Sequence, residues 1–274
     1  MPQVINTNIP SLTAQRNLNS SQSTLSTALN RLSSGLRINS AKDDAAGIAI
    51  ATRLEAQSRG MSVAIRNAND ALSFLQTAEG GISKVAESLN RMRELAVQSA
   101  NGTYQSTDRK NLQEEYAQLA SEIDRVVKQT QFNKIDMLNA GNSQTFQVGA
   151  NVGQTIVVQI SDLANASVTQ TGGTGSSISN ADGATSAISA IDQALDFINT
   201  QRAQLGGMQS RFESVVSQLQ IARENQEASR SRILDADFAE ETARLTRAQI
   251  LQQAGTAMLA QANAVPNNVL SLLR

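Results

Sequence analysis

Leucines recur near the start of the chain at steps of three and four residues. Leu18, Leu25, Leu29, Leu32 and Leu36 fall on one such series, with Gln22 filling a slot. This spacing is the heptad seam of a helix that packs lengthwise on another. A second series runs through Leu54, Met61, Ile65, Ala68, Leu72, Leu75, Ile82, Ala86, Leu89 and Ala96, with polar Ser58, Glu79 and Arg93 interrupting it. That helix is expected to begin after Ser40, whose hydroxyl can cap it. Asp43 and Asp44 then lie near the positive end of the helix dipole, and Asn101-Gly102 is the stop signal. A third helix follows Thr107 and carries Leu112, Tyr116, Leu119, Ile123 and Val126.

The period then changes. Phe146 and Val148, then Ile156, Val158 and Ile160, alternate at period two around Gly149–Gly153, which reads as a β-hairpin. Residues 165–185 are almost all Gly, Ser, Thr, Asn and Ala and read as a polar surface loop. Heptad spacing resumes at Ile188, Ile191, Leu195, Ile198, Leu205, Phe212, Val216 and Leu219, with Arg202 and Gln209 in two slots. It returns in the last segment at Leu251, Gly255, Met258, Ala262, Val265, Val269 and Leu272. Gly255 and Ala262 would let a partner helix approach closely. The fold class that follows is mainly α: an elongated antiparallel helical bundle or coiled coil with paired chain termini and a small β-hairpin region.

Composition strengthens this picture. The three prolines are Pro2, Pro10 and Pro266, so nothing from Ser11 to Val265 carries the roughly 3 kcal/mol penalty of a proline inside a helix. Aromatics are 3% of the 274 residues, so aliphatic and small side chains must do the packing. Glu55/Arg59, Glu87/Arg91, Asp124/Lys128 and Glu240/Arg244 each put an acid four residues before a base, worth about 0.2–0.5 kcal/mol per pair on an exposed helix face.

The same composition removes several chemistries. The chain has no His and no Cys, so zinc sites of the usual ligands, thiol nucleophiles, disulfides and imidazole bases are absent. A net charge of −1 argues against nucleic-acid binding. No apolar run reaches the roughly 18 residues of a membrane span. Met1–Arg16 has neither a basic nor an apolar signal region, so a cleaved secretory signal is not expected. Asp43-Asp44 reads as helix-start acids rather than a catalytic or metal pair. No nucleophile–base arrangement is visible, and neither enzyme nor cofactor is expected.

Pairing the amphipathic ends would cover part of each seam and leave apolar surface that other copies of the chain would cover. The candidate self-assembly residues are Leu18, Leu25, Leu29, Leu32, Leu36, Leu251, Met258, Val265, Val269 and Leu272. Leu95 stands apart. At 100° per residue it lies roughly 140° from the stripe through Leu75, Ile82 and Leu89, on the same outer side as Arg91. It reads either as ordinary surface or as a contact for another subunit or a foreign receptor.

Several runs resemble one family in its order. They are Val4-Ile5-Asn6-Thr7-Asn8, RLSSGLRINSAKDDAAG at Arg31–Gly47, RNANDA at Arg66–Ala71, RELAVQSANG at Arg93–Gly102, FQVGAN at Phe146–Asn151 and LAQANAVPNNVLSLLR at Leu259–Arg274. Along nearly its whole length the chain resembles bacterial flagellin, in a short form without large outer domains. The resemblance implies a structural subunit that polymerises into the flagellar filament for swimming motility. It implies an inner-tube coiled coil of residues 1–42 with 236–274, an outer layer of 43–164 with 186–235, and the surface loop 165–185. It further implies export without a cleaved signal peptide to the extracellular filament, and partners beyond other copies of the chain: an export chaperone, a filament cap protein and hook–filament junction proteins. Residues 30–51 resemble a peptide sensed by a plant receptor kinase, and Arg91, Leu95 and Glu115 match positions contacted by a vertebrate Toll-like receptor. Nucleic acid and membrane insertion are not implied. The alternatives are a hook–filament junction protein, which shares the terminal-helix design, and a cytosolic coiled-coil adaptor.

Overall fold

The computed structural model describes residues 7–139, 141–164 and 176–271, of which 265–271 are backbone alone. Five helices dominate it: α1 (Ile9–Ser34), α2 (Ala45–Ala100), α3 (Ser106–Gln129), α4 (Ala181–Leu234) and α5 (Phe238–Ser271). Two antiparallel strand pairs interrupt them, β1 (Gln131–Phe132) with β2 (Ile135–Asp136) and β3 (Ser143–Gln147) with β4 (Thr155–Gln159). The expected mainly α fold with a small β region is what forms. Residues 1–56 with 225–274 make one compact unit and residues 57–224 another.

In the second unit, α2 and α4 run antiparallel, because Glu79 accepts from Gln209 (2.8 Å) and Asp192 pairs with Arg93 (2.6 Å). On α4 the buried row is Ala184, Ala187, Ile191, Ala194, Ile198, Gln201, Leu205 and Phe212, a three–four alternation as far as Leu205 followed by one seven-residue step. Half of the expected seam, Ile191, Ile198, Leu205 and Phe212, is therefore correct. The other half shifts by one residue, from Ile188, Leu195 and Arg202 to Ala187, Ala194 and Gln201. The smaller Ala187 and Ala194 take the buried slots, and Ile188 and Leu195 sit half-buried at the flank.

Along α2 the burial is wider than one stripe. Ala68, Leu75, Ile82, Leu89 and Ala96 form one seven-residue row, Ala64, Ala71, Ala78, Val85, Met92 and Ser99 a second, and Phe74 and Leu95 lie on a third. All but Ala64 and Ser99 belong to one core cluster with Tyr116, Ile123 and Val127 of α3, Ile156 and Val158 of β4, and the apolar members of the α4 row. Phe74 meets Phe132 (5.8 Å, edge-on) and Phe146 (5.7 Å), and Phe146 meets Phe212 (6.0 Å). Each such ring pair adds about 0.5–1.5 kcal/mol beyond its buried area.

The β3–β4 hairpin follows the expected alternation, with Phe146 opposite Ile156 and with Ile156 and Val158 buried. The short β1–β2 hairpin is not signalled by hydrophobic alternation. Its turn is Asn133-Lys134, both at positive φ (50° and 64°), a conformation asparagine tolerates better than most residues.

Two helix starts differ from expectation. Helix α2 begins at Ala45, not just after Ser40, because Asp44 Oδ1 accepts from the Gly47 N–H (2.8 Å). Ser40 instead donates its hydroxyl to Asp43 (3.0 Å), which also accepts from the Ser40 and Asn39 N–H groups. Helix α4 begins at Ala181, so residues 181–185 are helical rather than part of the polar loop. Asn180 Oδ1 accepts from the Gly183 N–H (2.6 Å), and buried Ile178 ahead of the helix supplies the apolar anchor. Residues 165–175 of that loop lie outside the described residues.

Replacing Phe212 by Ala should lower stability by about 3–5 kcal/mol, measured as a shift of the urea midpoint. Alkaline stability should track Tyr116, whose hydroxyl is pushed up to about 12 by burial. The fold favours the protonated phenol, so this contribution is complete below the free tyrosine value near ~10 and is lost as pH rises towards the folded value. Tyr116→Phe should therefore flatten the fall in thermal midpoint above pH ~10. At the acid end, the Arg93 hydrogen bond holds Asp192 below the usual carboxylate range. That contribution is present above the ordinary carboxylate pKa and disappears as pH falls through the lowered one, so Asp192→Asn should reduce the acid sensitivity of the melting curve.

Candidate assembly surface

The terminal helices meet in the first unit. Asn8 starts α1, its Oδ1 accepting from the Ser11 N–H (3.1 Å), and Pro10 in the first turn needs no intrahelical partner for its nitrogen. Gly35 ends the helix at φ 71°, the left-handed cap that glycine adopts without cost. The chain leaving this cap pairs with the chain entering α5. Arg37 N–H donates to Leu234 (2.6 Å), Ala236 N–H donates to Gly35 (2.9 Å), and Leu36 bridges Asp235.

From that clamp α1 and α5 run antiparallel, as their contacts show. Arg31 pairs with Glu241 (3.0 Å), Gln252 donates to Gln22 (2.6 Å), Ser11 donates to Asn263 (2.8 Å) and Asn8 donates to the Ala262 carbonyl (2.9 Å). A methyl group on Gly255 would stand 3.2 Å from Leu18 Cδ1, so Leu18 would have to give way to it. The expected role of Gly255 in close approach is thereby met within the chain. Glu241 is buried and held by both Arg31 and Arg244 (3.1 Å), an ion pair matched only in this register.

Here too part of the expected seam holds, with Leu18, Leu25, Leu32, Gly255 and Ala262 facing inward, and the alternate slots shift by one residue. On α1 the inward rows are Ala14, Ser21 and Ala28 with Ser11, Leu18, Leu25 and Leu32. On α5 they are Glu241, Leu245, Ala248, Gln252, Gly255, Leu259 and Ala262. Leu18, Leu25 and Leu32 are half-buried in the pair, and half-buried Leu36 sits in the clamp. Leu29, Leu251 and Met258 do not join the seam. They are 51%, 53% and 64% exposed, on the outside of the pair. Val265, Val269 and Leu272 lie outside the described side chains. Exposed Ile9, Leu12, Ile50, Phe238 and Ile250 extend the outer apolar surface, and the largest-residue pattern passed over them. On α1 the signal available in the sequence was the parallel series Ala14, Ser21 and Ala28, whereas on α5 the positions that replace Leu251 and Met258 are Gln252 and Leu259. Between the helices a groove of about 370 Å³ opens over Leu18, Ser21, Ala248 and Leu251, with Arg244 and Arg247 on its rim.

The second candidate surface lies on the other unit. Arg91 pairs with Glu115 of α3 (2.9 Å) and with Glu94 (2.8 Å), all about half exposed, and these partners raise the Arg91 pKa. Leu95 is not beside them on the surface. It is 1% exposed, within the core cluster that α3 and α4 complete. The outer-side expectation fails because α2 is buried on more than one face, so a residue far from one stripe falls on another. Near this surface the exposed Val97 borders a shallow polar depression with Asn90, Arg93, Glu94 and Gln98.

Comparison with known proteins agrees with both helix sets. The profile of the bacterial flagellin N-terminal helical region matches residues 5–143, and that of the C-terminal helical region matches residues 188–273. A flagellin of Halalkalibacterium halodurans is 44% identical over 272 residues, covering 99% of this chain and all of that protein. The flagellar filament 33 kDa core protein of Treponema phagedenis is 41% identical over 285 residues, covering 99% of this chain and all of that protein. The crystal structure of Bacillus cereus flagellin superposes with a TM-score of 0.52 at 31% identity, covering 56% of this chain and 88% of that one. With both helical regions matched and paired in space, the chain belongs to the bacterial flagellin family.

Proposed function

We propose that this chain, a structural subunit of the bacterial flagellar filament, assembles by burying the outer apolar surface of α1 and α5 against other copies of itself. The observation that carries this reading is the placement of Leu29, Leu251 and Met258 outside the α1–α5 seam. Removing a large aliphatic side chain from water is worth about 1.5–3 kcal/mol, and the chain alone leaves these side chains half exposed or more. Repeated contact along a helical homopolymer supplies the missing cover. On this reading residues 1–42 with 236–274 line the inner tube and 43–164 with 186–235 form the layer around it.

The filament reading places the subunit outside the cell, and no helix among the described residues is long and apolar enough to cross a membrane. Export by a dedicated chaperone, growth beneath a cap protein and attachment through hook–filament junction proteins follow from the same reading. So do roles for residues 30–51 and for Arg91 with Glu115 in recognition by host receptors. A catalytic role has no support in the site: Asp43 is engaged in holding its turn and Asp44 in capping α2. A hook–filament junction role is not better supported than the filament role, and family profiles for both flagellin regions match.

Seeded polymerisation followed by electron microscopy tests the assembly surface. Leu251→Ser with Met258→Ser should abolish or strongly slow filament growth while the helical circular dichroism of the monomer is retained. Normal filaments from that variant would overturn the proposal. For receptor recognition, Arg91→Ala and Glu115→Ala should reduce signalling without loss of stability. Leu95→Ala should instead destabilise the monomer by about 2–5 kcal/mol, because its side chain is core. A fully stable Leu95→Ala variant with lost signalling would reverse that assignment.

A further inference from the structure

The turn joining α2 to α3 contains Asn101-Gly102-Thr103, the one place where asparagine precedes glycine in the chain. We propose that this turn is a site of spontaneous covalent modification, in which Asn101 converts through a cyclic imide to isoaspartate and aspartate in the folded subunit.

Three features favour the reaction. Asn101, Gly102 and Thr103 are all exposed, so water and hydroxide reach them. The Thr103 N–H donates to Asn101 Oδ1 (3.3 Å), which draws electron density from the side-chain carbonyl carbon that must be attacked. Among the described residues the Gly102 N–H donates to no acceptor, and a Cβ at Gly102 would meet nothing within 4 Å, so the attacking nitrogen is neither tied nor shielded.

The chemistry needs only water. Hydroxide takes the Gly102 amide proton, and the nitrogen attacks Asn101 Cγ. The new N–Cγ bond forms as the Cγ–Nδ2 bond breaks, and the side-chain nitrogen takes a proton from water and leaves as ammonia, regenerating hydroxide. Water then opens the ring at one carbonyl. Opening at the backbone carbonyl leaves isoaspartate, with the main chain rerouted through the side chain; opening at the side-chain carbonyl leaves aspartate. One water is consumed and one ammonia released, with no change of oxidation state.

Three other candidates among the described residues are blocked. Gly183 follows Asp182, but its N–H is committed to Asn180 Oδ1 (2.6 Å) within the first turn of α4. Ser40 follows Asn39, but its N–H donates to Asp43 (2.9 Å). Asn142, which precedes Ser143, holds the Asp136 carbonyl with its own amide.

The site also matters to the fold. Arg109 closes the end of α2 by donating to the Ser99 carbonyl (2.8 Å) and the Asn101 carbonyl (3.1 Å). Isoaspartate would lengthen the main chain at that clamp. Either product adds a carboxylate at the negative end of the α2 dipole, where it is unfavourable. Ageing would therefore loosen the α2–α3 turn.

The test is to incubate the full chain, folded and in urea, in mildly alkaline buffer and to follow tryptic peptides by mass spectrometry, with isoaspartyl methyltransferase labelling to identify the isomer. The expected result is that the folded chain gains the mass of an amide-to-acid exchange first at Asn101, with isoaspartate as the larger product. Gly102→Ala, which the open space and unstrained backbone accommodate, should slow the gain several-fold with unchanged helical circular dichroism. Modification confined to the urea sample, an unchanged rate in Gly102→Ala, or equally fast gain at Asn39 and Asn142 would each overturn the proposal.

Discussion

Close approach between antiparallel helices governs this protein. Ala14, Ser21 and Ala28 of α1 line the seam that Ala248, Gly255 and Ala262 of α5 help to form, and Ala187 and Ala194 are buried on α4. Small side chains allow helix backbones to approach until neighbouring leucines interlock beside them. The geometry leaves no room inside for every large apolar residue that the sequence spaces at heptad intervals. In the terminal pair the surplus is turned outward, and for a subunit of a polymer an outward apolar ridge is surface awaiting a neighbour.

The polar contacts of the terminal pair set its register rather than its strength. Glu241 is buried between Arg31 and Arg244, and a slip of one helix past the other would strand its charge in an apolar seam. The backbone bonds joining residues 35–37 to 234–236 close one end of the pair. Together these contacts define one alignment of α1 on α5, and therefore one arrangement of the exposed Leu29, Leu251 and Met258.

Residues 57–224 solve a different packing problem. Here α2 is covered on several faces, by α3, by the strand pairs and by α4, so three of its heptad rows are interior. Phe74, Phe132, Phe146 and Phe212 link the two hairpins to the long helices through edge-on contacts. In a chain with only six phenylalanines, four are committed to this one chain of rings. Leu95 belongs to this interior, whereas Arg91 and Glu115 are paired on the surface. Leu95 and Arg91 are four residues apart on α2 and have two different physical roles.

Hydrophobic period, proline placement and turn residues were enough to establish five helical regions, the β3–β4 hairpin and the antiparallel closure of the chain ends. These are local preferences, and each is written in a few neighbouring residues. The short β1–β2 hairpin was not legible, because two-residue strands carry no period and only Asn133 hints at the turn. Which of two adjacent rows faces inward was not legible either. A leucine row and an alanine row one step apart are both valid heptads, and the choice between them depends on how close the partner helix comes. Tertiary packing made that choice, moving Leu251 and Met258 out and Leu95 in. The sequence by itself thus determined the elements and the family, whereas only the packed structure decided which faces are core and which remain for assembly, since burial is a property of the partner as much as of the residue.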